Sequence, residues 1–513
     1  MRERPVSFRS VSCGETPVLK GAGRKVAVVR RVGLLLAMSG MMSGCSWMFG
    51  TPSQSTPDEH PVLSLYGSGT KMLTGYVGSV VADEPHAALA AMTVLQRGGN
   101  AADAAAALGL ALSVTLPSRA SLGSGGACVA WRPEDRGAGR AFLFMPTGDA
   151  PADPVSGARS SRADRPASIP MLARGLFLMQ LRYGSVDFAE TTQPAITLAR
   201  SGIEVGSQLA ADLATVQAPL LADEGARKIF GRSDGTVLKA GDIFSQRYLT
   251  GTLERIRSAG SGDLYTGALA QVLVASNETT GAGLTMVGLR GAVPIETMPL
   301  TASVGNVTVS FVPPPADGGY GMAAAWKASE SGQAAGDAGA RAVAGWRTTE
   351  GRASVAALSA HAQALLDSGR MPGGSSLPNL PASTSFAVVD RKGEAVACAV
   401  SMNNLFGTGR VAGSTGIVLG ASAAHRPRPI LPAGIAHRDG EFLAAATASG
   451  QADAADAAGA ALSGALTGDI RAATANGRAN AISCRNGLPG GSSHCFGWVD
   501  PRGSGYATGS ERN

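Results

Sequence analysis

The sequence predicts a globular protein that combines helices and strands, of the α+β class. Of its 513 residues, 44% are hydrophobic and 16% are charged, and the mean hydropathy is +0.10. This composition excludes disordered chains and coiled coils. Apolar residues repeat at helical spacing in several segments, while two segments near residue 390 have strand composition and are joined by a turn. The length corresponds to roughly three domain-sized units or one large layered fold.

The excess of basic residues is confined to the amino-terminal leader. The chain carries 44 Lys and Arg against 38 Asp and Glu, a net charge of +6. Residues 1–31 contain eight bases and two acids, so they account for the whole net charge and the rest of the chain is balanced. Because nucleic-acid binding requires a basic face that neutralises phosphates, we expect no nucleic-acid partner.

An uncharged segment follows this leader. Residues 32–44 are rich in Leu and Met and end just before Cys45. They are shorter than the ~20 residues of a membrane-spanning helix, so we interpret residues 1–44 as a signal peptide. The small residues before Cys45 resemble a bacterial lipobox, which predicts a lipidated Cys45 and a Ser/Thr/Pro/Gly-rich tether over residues 45–73. The alternative is an ordinary cleaved signal in which Cys45 is incidental.

Helix signals begin near residue 85. Pro85 suits a first helical turn, and apolar residues repeat at helical spacing up to a stop at Gly98-Gly99. Asn100 then caps a second helix, with Asp103 in the position that completes a capping box. Further segments have a helical pattern, namely residues 170–183, 189–201 and 245–257.

Strand signals lie between and after these helices. The two strongest are Ser385 to Asp390 and Ala395 to Asn403, which are joined by a turn and predict a hairpin. Strands are also expected over residues 127–131 and 307–312.

The cysteines and histidines restrict the chemistry. Cys484 and Cys495 flank a loop rich in Gly, Pro and Ser, and in an oxidising compartment we expect a disulfide to close it. Cys128 and Cys398 lie in apolar runs and are interpreted as core thiols. The six His residues are scattered, without a pair at metal-ligand spacing, so no metal site and no cofactor is expected.

Seven blocks between residues 75 and 420 share a recognisable pattern. They include Arg-Gly-Gly-Asn-Ala-Ala-Asp at residues 97–103 and Asn-Asn-Leu-Phe-Gly-Thr-Gly at residues 403–409. The full set is 97–105, 122–126, 169–185, 193–200, 252–265, 313–319, and 384–390 with 403–409. In this order the blocks resemble the gamma-glutamyltranspeptidases (glutathione hydrolases), a family of N-terminal nucleophile hydrolases.

The resemblance implies a four-layer αββα sandwich and a chain that cuts itself before its nucleophile. The family uses Thr, whereas the matching position here is Ser383, so the bond to be cut is Ala382-Ser383. A hydroxyl is a poor nucleophile at neutral pH, and the new α-amine, with a pKa of ~8, would serve as its base. Thr384 is a reserve candidate one residue out of register, and both residues could instead merely begin a strand. Cleavage would divide a large region, 74–382, from a small one, 383–513.

The same resemblance assigns roles around Ser383. Ser401 matches the residue that supports the nucleophile by hydrogen bonding, and Asn403 matches one that contacts the substrate's α-amino group. Gly450 and Gln451 stand where the family has the Gly-Gly pair that stabilises the oxyanion through backbone N–H groups.

Three positions depart from the family pattern. Residues 146–151 contain no Arg to clamp the glutamyl α-carboxylate, and residues 422–425 lack the Gln and the acidic pair that hold the α-ammonium. Residues 428–432 replace a Ser pair with Leu and Pro. Because an unpaired carboxylate is costly to desolvate, these changes favour a less polar acyl group.

Two function classes follow. The first is an extracytoplasmic hydrolase or transferase, anchored by lipid to a bacterial membrane in the periplasm, that acts on γ-glutamyl or related small amides as a self-cleaved heterodimer. The second is a binding or scaffold lipoprotein that keeps the fold without catalysis.

Overall fold

Two antiparallel sheets stack face to face in the computed structural model, and helices cover the outer surface of each sheet. The αββα sandwich implied by the resemblance is therefore confirmed. The structure describes residues 72–509 apart from 136, 148–165, 333–335, 352, 376, 378–381, 423–427, 451, 472–475 and 493–494. The proposed signal peptide, Cys45 and nearly all of the tether lie outside the described residues.

The strands form two large sheets and one small one. In chain order they are β1 (Gly78–Ala82), β2 (Gly125–Trp131), β3 (Arg140–Phe144), β4 (Ile203–Glu204), β5 (Ile243–Phe244), β6 (Ile295–Thr297), β7 (Leu300–Val304), β8 (Val307–Phe311), β9 (Ser383–Asp390), β10 (Ala395–Ser401), β11 (Ala433–Arg438), β12 (Glu441–Ser449), β13 (Arg478–Leu488), β14 (Cys495–Val499) and β15 (Tyr506–Thr508). The first sheet has the order β15-β1-β9-β10-β2-β3-β6, and the second has the order β14-β13-β12-β11-β8-β7. Strands β4 and β5 pair separately.

The helices fall into two groups, one on each sheet. They are α1 (Pro85–Gln96), α2 (Ala101–Thr115), α3 (Pro117–Ala120), α4 (Leu172–Tyr183), α5 (Phe188–Ser201), α6 (Ser207–Thr215), α7 (Gln217–Leu221), α8 (Glu224–Phe230), α9 (Arg247–Ala259), α10 (Asp263–Thr266), α11 (Ala268–Ala275), α12 (Asn277–Thr280), α13 (Met286–Gly291), α14 (Gly318–Glu330), α15 (Ala338–Thr349), α16 (Val355–Ser368) and α17 (Ala454–Thr467). Helices α14 to α17 pack on the second sheet, and earlier helices pack on the first.

The central strands β9 and β10 are buried along their whole lengths. Each has helices on one face and the second sheet on the other, and separate apolar clusters fill the two layers. Their sequences are accordingly almost continuously apolar rather than alternating. Four polar exceptions, Ser383, Thr384, Ser385 and Ser401, lie at one end of this pair, and Asp390 lies at the other.

Local sequence signals account for the first helices. The side chain of Asn100 accepts hydrogen bonds from the backbone of Ala102 and Asp103, and Asp103 accepts one from the backbone N–H of Asn100. The predicted capping box is thus confirmed. The predicted strand through Asn403 is too long, because β10 ends at Ser401 and Asn403 has a positive φ of 59°, which is incompatible with extended backbone.

Both cysteine pairs of the body are disulfides. Cys484 and Cys495 lie opposite each other on β13 and β14 and are bonded. Cys128 and Cys398 are also bonded, so the expectation that they are free core thiols is wrong. They face each other across the β2-β10 ladder, and their Cα atoms are 4.1 Å apart. Because the two residues are 270 positions apart in the sequence, no local pattern indicates that they are in contact.

The described part of the chain contains neither a helix that could span a membrane nor a cluster of metal ligands. None of its helices is long and apolar enough to cross a membrane. In the same residues, no group of three or more His, Cys, Asp or Glu side chains is arranged as metal ligands would be.

Two acidic side chains, the buried Asp390 and the half-buried Glu394, lie at the turn between β9 and β10, at the end opposite Ser383. Asp390 accepts hydrogen bonds from the backbone N–H groups of Ala101, Lys392 and Glu394 at 2.8–3.2 Å. Glu394 accepts one from Asn100 Nδ2 at 2.7 Å. Burial raises the pKa of both carboxyl groups, and the charge of Asp390 raises the pKa of Glu394 further.

This pair makes a specific contribution to the pH dependence of stability. Between about pH 5 and about pH 8 the folded protein retains protons that the unfolded chain has released, so stability falls as the pH rises. Glu394→Gln removes one of the two titrating groups and keeps an acceptor for Asn100. Across this range the free energy of unfolding of the wild type, measured by denaturant titration, should fall as the pH rises. We expect the corresponding fall for the variant to be smaller by about 1–2 kcal/mol.

Glu278→Gln is the matched control, since Glu278 is exposed on α12. Its pH dependence should equal that of the wild type. An identical slope for Glu394→Gln and wild type would contradict the assignment of raised pKa values to this pair.

Candidate active site

Three strand ends converge at the residue expected to be the nucleophile. Ser383 begins β9 and lies opposite Ser401, the last residue of β10. Ser401 lies opposite Gly125, the first residue of β2. From the second sheet, the end of β12 brings Ser449 and Gly450 to the same place.

The hydroxyl of Ser383 contacts the expected oxyanion donor. Its Oγ accepts a hydrogen bond from the backbone N–H of Gly450 at 2.8 Å, and Ser383 is only 3% exposed. Gly450 has a φ of 109°, a conformation that side-chain-bearing residues rarely adopt. The backbone N–H of Gly450 is therefore placed beside any acyl group carried on Ser383. Gln451, the second expected donor, lies outside the described residues.

The carbonyl before Ser383 is held by two donors. The oxygen of Ala382 accepts a hydrogen bond from Ser401 Oγ at 2.9 Å and one from the backbone N–H of Met402 at 3.3 Å. Ser401 Oγ in turn accepts the N–H of Asn403 at 2.9 Å, which orients its proton toward Ala382. The structure thus brings Ser401 to the peptide bond that precedes Ser383.

Asn403 is anchored on one side and unsatisfied on the other. Its Nδ2 donates to the carbonyl oxygens of Pro146 at 3.2 Å and Ala421 at 2.8 Å. Its Oδ1 is buried and has no hydrogen-bond partner among the described residues. A buried acceptor without a donor is unfavourable, so this oxygen is suited to an N–H or ammonium group of a ligand.

Asp83, which the sequence did not single out, connects the converging strands. Its carboxylate accepts hydrogen bonds from the Thr384 hydroxyl (2.9 Å), the Ser385 N–H (3.0 Å), the Ser449 hydroxyl (2.7 Å) and Asn480 Nδ2 (2.8 Å). One side chain after β1 thereby fixes the residues that follow Ser383 and the residue that precedes Gly450.

A buried ion pair lies on the other side of Ser383 and was also missed. Arg119 Nη1 donates to the carbonyl oxygen of Ser383 at 3.1 Å. The guanidinium is paired with Asp212 through two hydrogen bonds of 2.7 and 2.8 Å. Residues 104–122 contain no charge other than Arg119, and a lone charge in an apolar stretch is the signal that could have identified it.

Thr384, the reserve nucleophile, has a different environment. Its hydroxyl donates to Asp83, whereas the hydroxyl of Ser383 contacts Gly450. Successive strand residues point to opposite faces, so the two hydroxyls cannot occupy one position. The oxyanion donor and the polarised carbonyl both lie next to Ser383.

The family's charge partners for an amino acid are not replaced by other described residues near Ser383. Arg119 is engaged with Asp212. Arg428 forms two hydrogen bonds to Glu350, at 2.7 and 2.6 Å, and lies 3.5 Å from Asp317. Leu431, where a Ser is expected, is fully buried. His425 and residues 148–151 lie outside the described part of the chain.

Comparison with known proteins identifies the family. A profile described as Gamma-glutamyltranspeptidase matches residues 87–346, about half of the chain. The chain is 27% identical over 434 residues to the glutathione hydrolase proenzyme of Escherichia coli, covering 77% of this chain and 73% of that protein. It is 32% identical over 273 residues to glutathione hydrolase 3 of Arabidopsis thaliana, covering 52% of this chain and 42% of that one.

A solved structure shows the same fold over nearly the whole length. The cephalosporin acylase of Bacillus halodurans superposes with a TM-score of 0.66 at 16% identity, covering 90% of this chain and 99% of that one. At this identity the likeness concerns the fold alone. Together with the profile match, it shows that the chain belongs to the gamma-glutamyltranspeptidase family and has the N-terminal nucleophile hydrolase fold.

Proposed function

We propose that the protein is a self-processing hydrolase or transferase that cleaves small amides, with Ser383 as its N-terminal nucleophile. One observation carries the proposal. The Ser383 hydroxyl accepts the N–H of Gly450, while the preceding carbonyl, that of Ala382, accepts hydrogen bonds from Ser401 and Met402. The hydroxyl, the bond to be cut and the donors for developing charge are thus side by side.

Self-cleavage can be derived from this arrangement. Ser383 Oγ adds to the carbonyl carbon of Ala382, and the negative charge that develops on the carbonyl oxygen is stabilised by Ser401 Oγ–H and the Met402 N–H. The C–N bond then breaks, and the nitrogen takes the proton that the hydroxyl loses. The resulting ester is hydrolysed by water, which leaves a carboxylate on Ala382 and a free hydroxyl and α-amine on Ser383.

After self-cleavage, Ser383 is the nucleophile that attacks the substrate. The α-amine accepts the hydroxyl proton as Oγ attacks the substrate's amide carbon, and the leaving amine departs with a proton. The N–H of Gly450 stabilises the oxyanion, an interaction that contributes ~3 kcal/mol in comparable sites; Gln451 is the expected second donor. Water or an amine finally accepts the acyl group from Ser383.

Gamma-glutamyl compounds are the default substrates because the sequence relatives are named glutathione hydrolases. The unpartnered Oδ1 of Asn403 would accept a hydrogen bond from the α-amino group of such a substrate. No cofactor is needed for the steps described.

The scaffold alternative explains the site less well. A protein that only preserved the fold would gain nothing from the buried polar groups around Ser383, each of which costs free energy unless it is hydrogen-bonded. Asp83 and the pair Arg119–Asp212 instead orient the residues on either side of the nucleophile.

We further propose that the mature protein is an extracytoplasmic, periplasmic heterodimer of residues 45–382 and 383–513, in which residues 45–73 tether the large region, 74–382, to a membrane through lipid on Cys45. The signal-like segment before Cys45 supports export. The two disulfides support an oxidising compartment.

Ser383→Ala should abolish self-cleavage, because the attacking oxygen is removed. On a denaturing gel run with a reductant, which breaks the Cys128–Cys398 disulfide between the two regions, we expect the wild type to give two fragments and the variant to remain intact. Hydrolysis of amide substrates should fall more than about 10³-fold. Ser383→Thr should keep both activities, since it retains a hydroxyl.

Thr384→Val is the matched control and should still be cut. If Ser383→Ala is cleaved normally while Thr384→Val is not, the nucleophile is Thr384 and the assignment of Ser383 is wrong.

Asp83→Asn should slow self-cleavage. The NH2 of the new amide is a donor, and it would face one of the four groups that donate hydrogen bonds to the Asp83 carboxylate. Destabilisation of about 1–3 kcal/mol is expected. The rate of fragment formation, followed on gels during expression, should fall at least about tenfold.

Asp456→Asn is the control that separates an effect on the position of the residues around Ser383 from an effect on the stability of the protein. Asp456 is also buried and accepts two backbone N–H groups, from Gly339 and Ala340, but lies under the second sheet on α17. It should lose comparable stability and cleave at the wild-type rate. Equal cleavage rates for the two variants would exclude a positioning role for Asp83.

A further inference from the structure

A cavity of about 930 Å³ opens at the Ser383 end of the sandwich. Its walls come from the residues that follow β3, from the segment around Ile169, from α13 and β6, and from Pro315. Among the described residues that line it, no side chain carries a charge. Its volume falls within the range of ~300–1,000 Å³ that is typical of small-molecule sites.

The wall of the cavity is linked to the candidate active site by hydrogen bonds. Asn403 Nδ2 donates to the carbonyl oxygen of Pro146, and the N–H of Ile169 donates to the carbonyl oxygen of Thr147 at 3.0 Å. Met145, Thr147 and Ile169 all line the cavity. Strand β3 is two positions from β10 in the sheet, which places this wall roughly 10 Å from Ser401.

We propose that this cavity, the acyl pocket, binds the acyl group of the substrate, and that this group is an uncharged, apolar chain or ring. The inference rests on the proposed function and specifies its substrate class. Thr147 lies in the segment where the family places the Arg that clamps the glutamyl carboxylate. With a hydroxyl and apolar side chains in place of that cation, a carboxylate entering the pocket would lose its hydration without gaining a charged partner among the described lining residues.

The buried walls and the mouth are both apolar. Met145, Ile169 and Met171 are 3–8% exposed. At the mouth, Val287, Val293 and Ile295 are 80%, 63% and 42% exposed, and a group of exposed apolar residues beside a cavity is typical of a ligand-binding site. The pocket can thus desolvate an apolar ligand along its length.

The distance from Ser383 sets the size of the ligand. Ser383 lies on β9, three strand positions and roughly 14 Å from β3. An extended chain that starts at Ser383 and ends in van der Waals contact with this wall, at about 4 Å, must span roughly 10 Å, which corresponds to about six to ten carbons. A short acyl group such as acetyl would leave the pocket empty. The expected order of preference is therefore octanoyl above both acetyl and γ-glutamyl.

The test uses the purified wild-type protein with three 4-nitroanilides, carrying octanoyl, acetyl and γ-glutamyl groups. We expect kcat/KM for octanoyl to exceed each of the others at least about tenfold. Ile295→Arg places a cation at the mouth on an edge strand, where its exposure makes the change tolerable. It should lower octanoyl hydrolysis about tenfold and leave acetyl hydrolysis unchanged.

Ile243→Arg is the matched control, because Ile243 is an exposed apolar residue on β5 that does not line the pocket; it should behave as wild type. Faster hydrolysis of γ-glutamyl than of octanoyl anilide by cleaved protein would overturn the acyl pocket and leave the proposed function standing.

A binding measurement distinguishes a failure of the acyl pocket from a failure of the proposed function. Ser383→Ala, which is expected to stay uncut, should bind N-octanoyl-aniline in isothermal titration calorimetry, and Ser383→Ala combined with Ile295→Arg should not. Octanoyl binding without cleavage of any anilide by the wild type would contradict the proposed function alone. Failure to bind would contradict the pocket.

Discussion

The proposed chemistry of this protein depends on the hydrogen bonds around one peptide bond, Ala382-Ser383. Its carbonyl oxygen accepts two donors from the end of β10, and the hydroxyl beside it accepts the N–H of Gly450 from the other sheet. These contacts exist because two sheets end at one place. In the proposed mechanism, the sandwich is therefore the frame that aligns the nucleophile and the scissile carbonyl at the start of β9 with donors from the ends of β10 and β12.

The sequence predicted what depends on neighbours in the chain and missed what depends on distant partners. The capping box of Asn100 and the loop disulfide were accessible because their partners lie 3 and 11 residues apart. Asp83 and Thr384 are 301 residues apart, and Cys128 and Cys398 are 270 apart. No local pattern identifies such pairs, since only the order of strands in the sheet brings them together.

The family resemblance identified the candidate site residues, which the periodicity of hydrophobic residues does not indicate. It led to Ser383, Ser401 and Asn403, which the structure places within one hydrogen-bonded group. It also showed which family residues are changed, and one changed segment, residues 146–151, contributes Thr147 to a cavity whose described lining residues carry no charge. Retained chemistry at the nucleophile and an altered acyl-binding wall together point to an amide-cleaving enzyme with a changed specificity.

The most direct measurement is amino-terminal sequencing, with intact mass, of the polypeptides in purified wild-type protein after reduction of the Cys128–Cys398 disulfide, which joins the two regions. A smaller fragment that begins Ser-Thr-Ser-Phe, with the mass of residues 383–513, is the predicted result, since it shows that the α-amine has been released on the residue that carries the hydroxyl. A single uncut chain, or a fragment that begins at any other residue, would contradict the central role of Ser383.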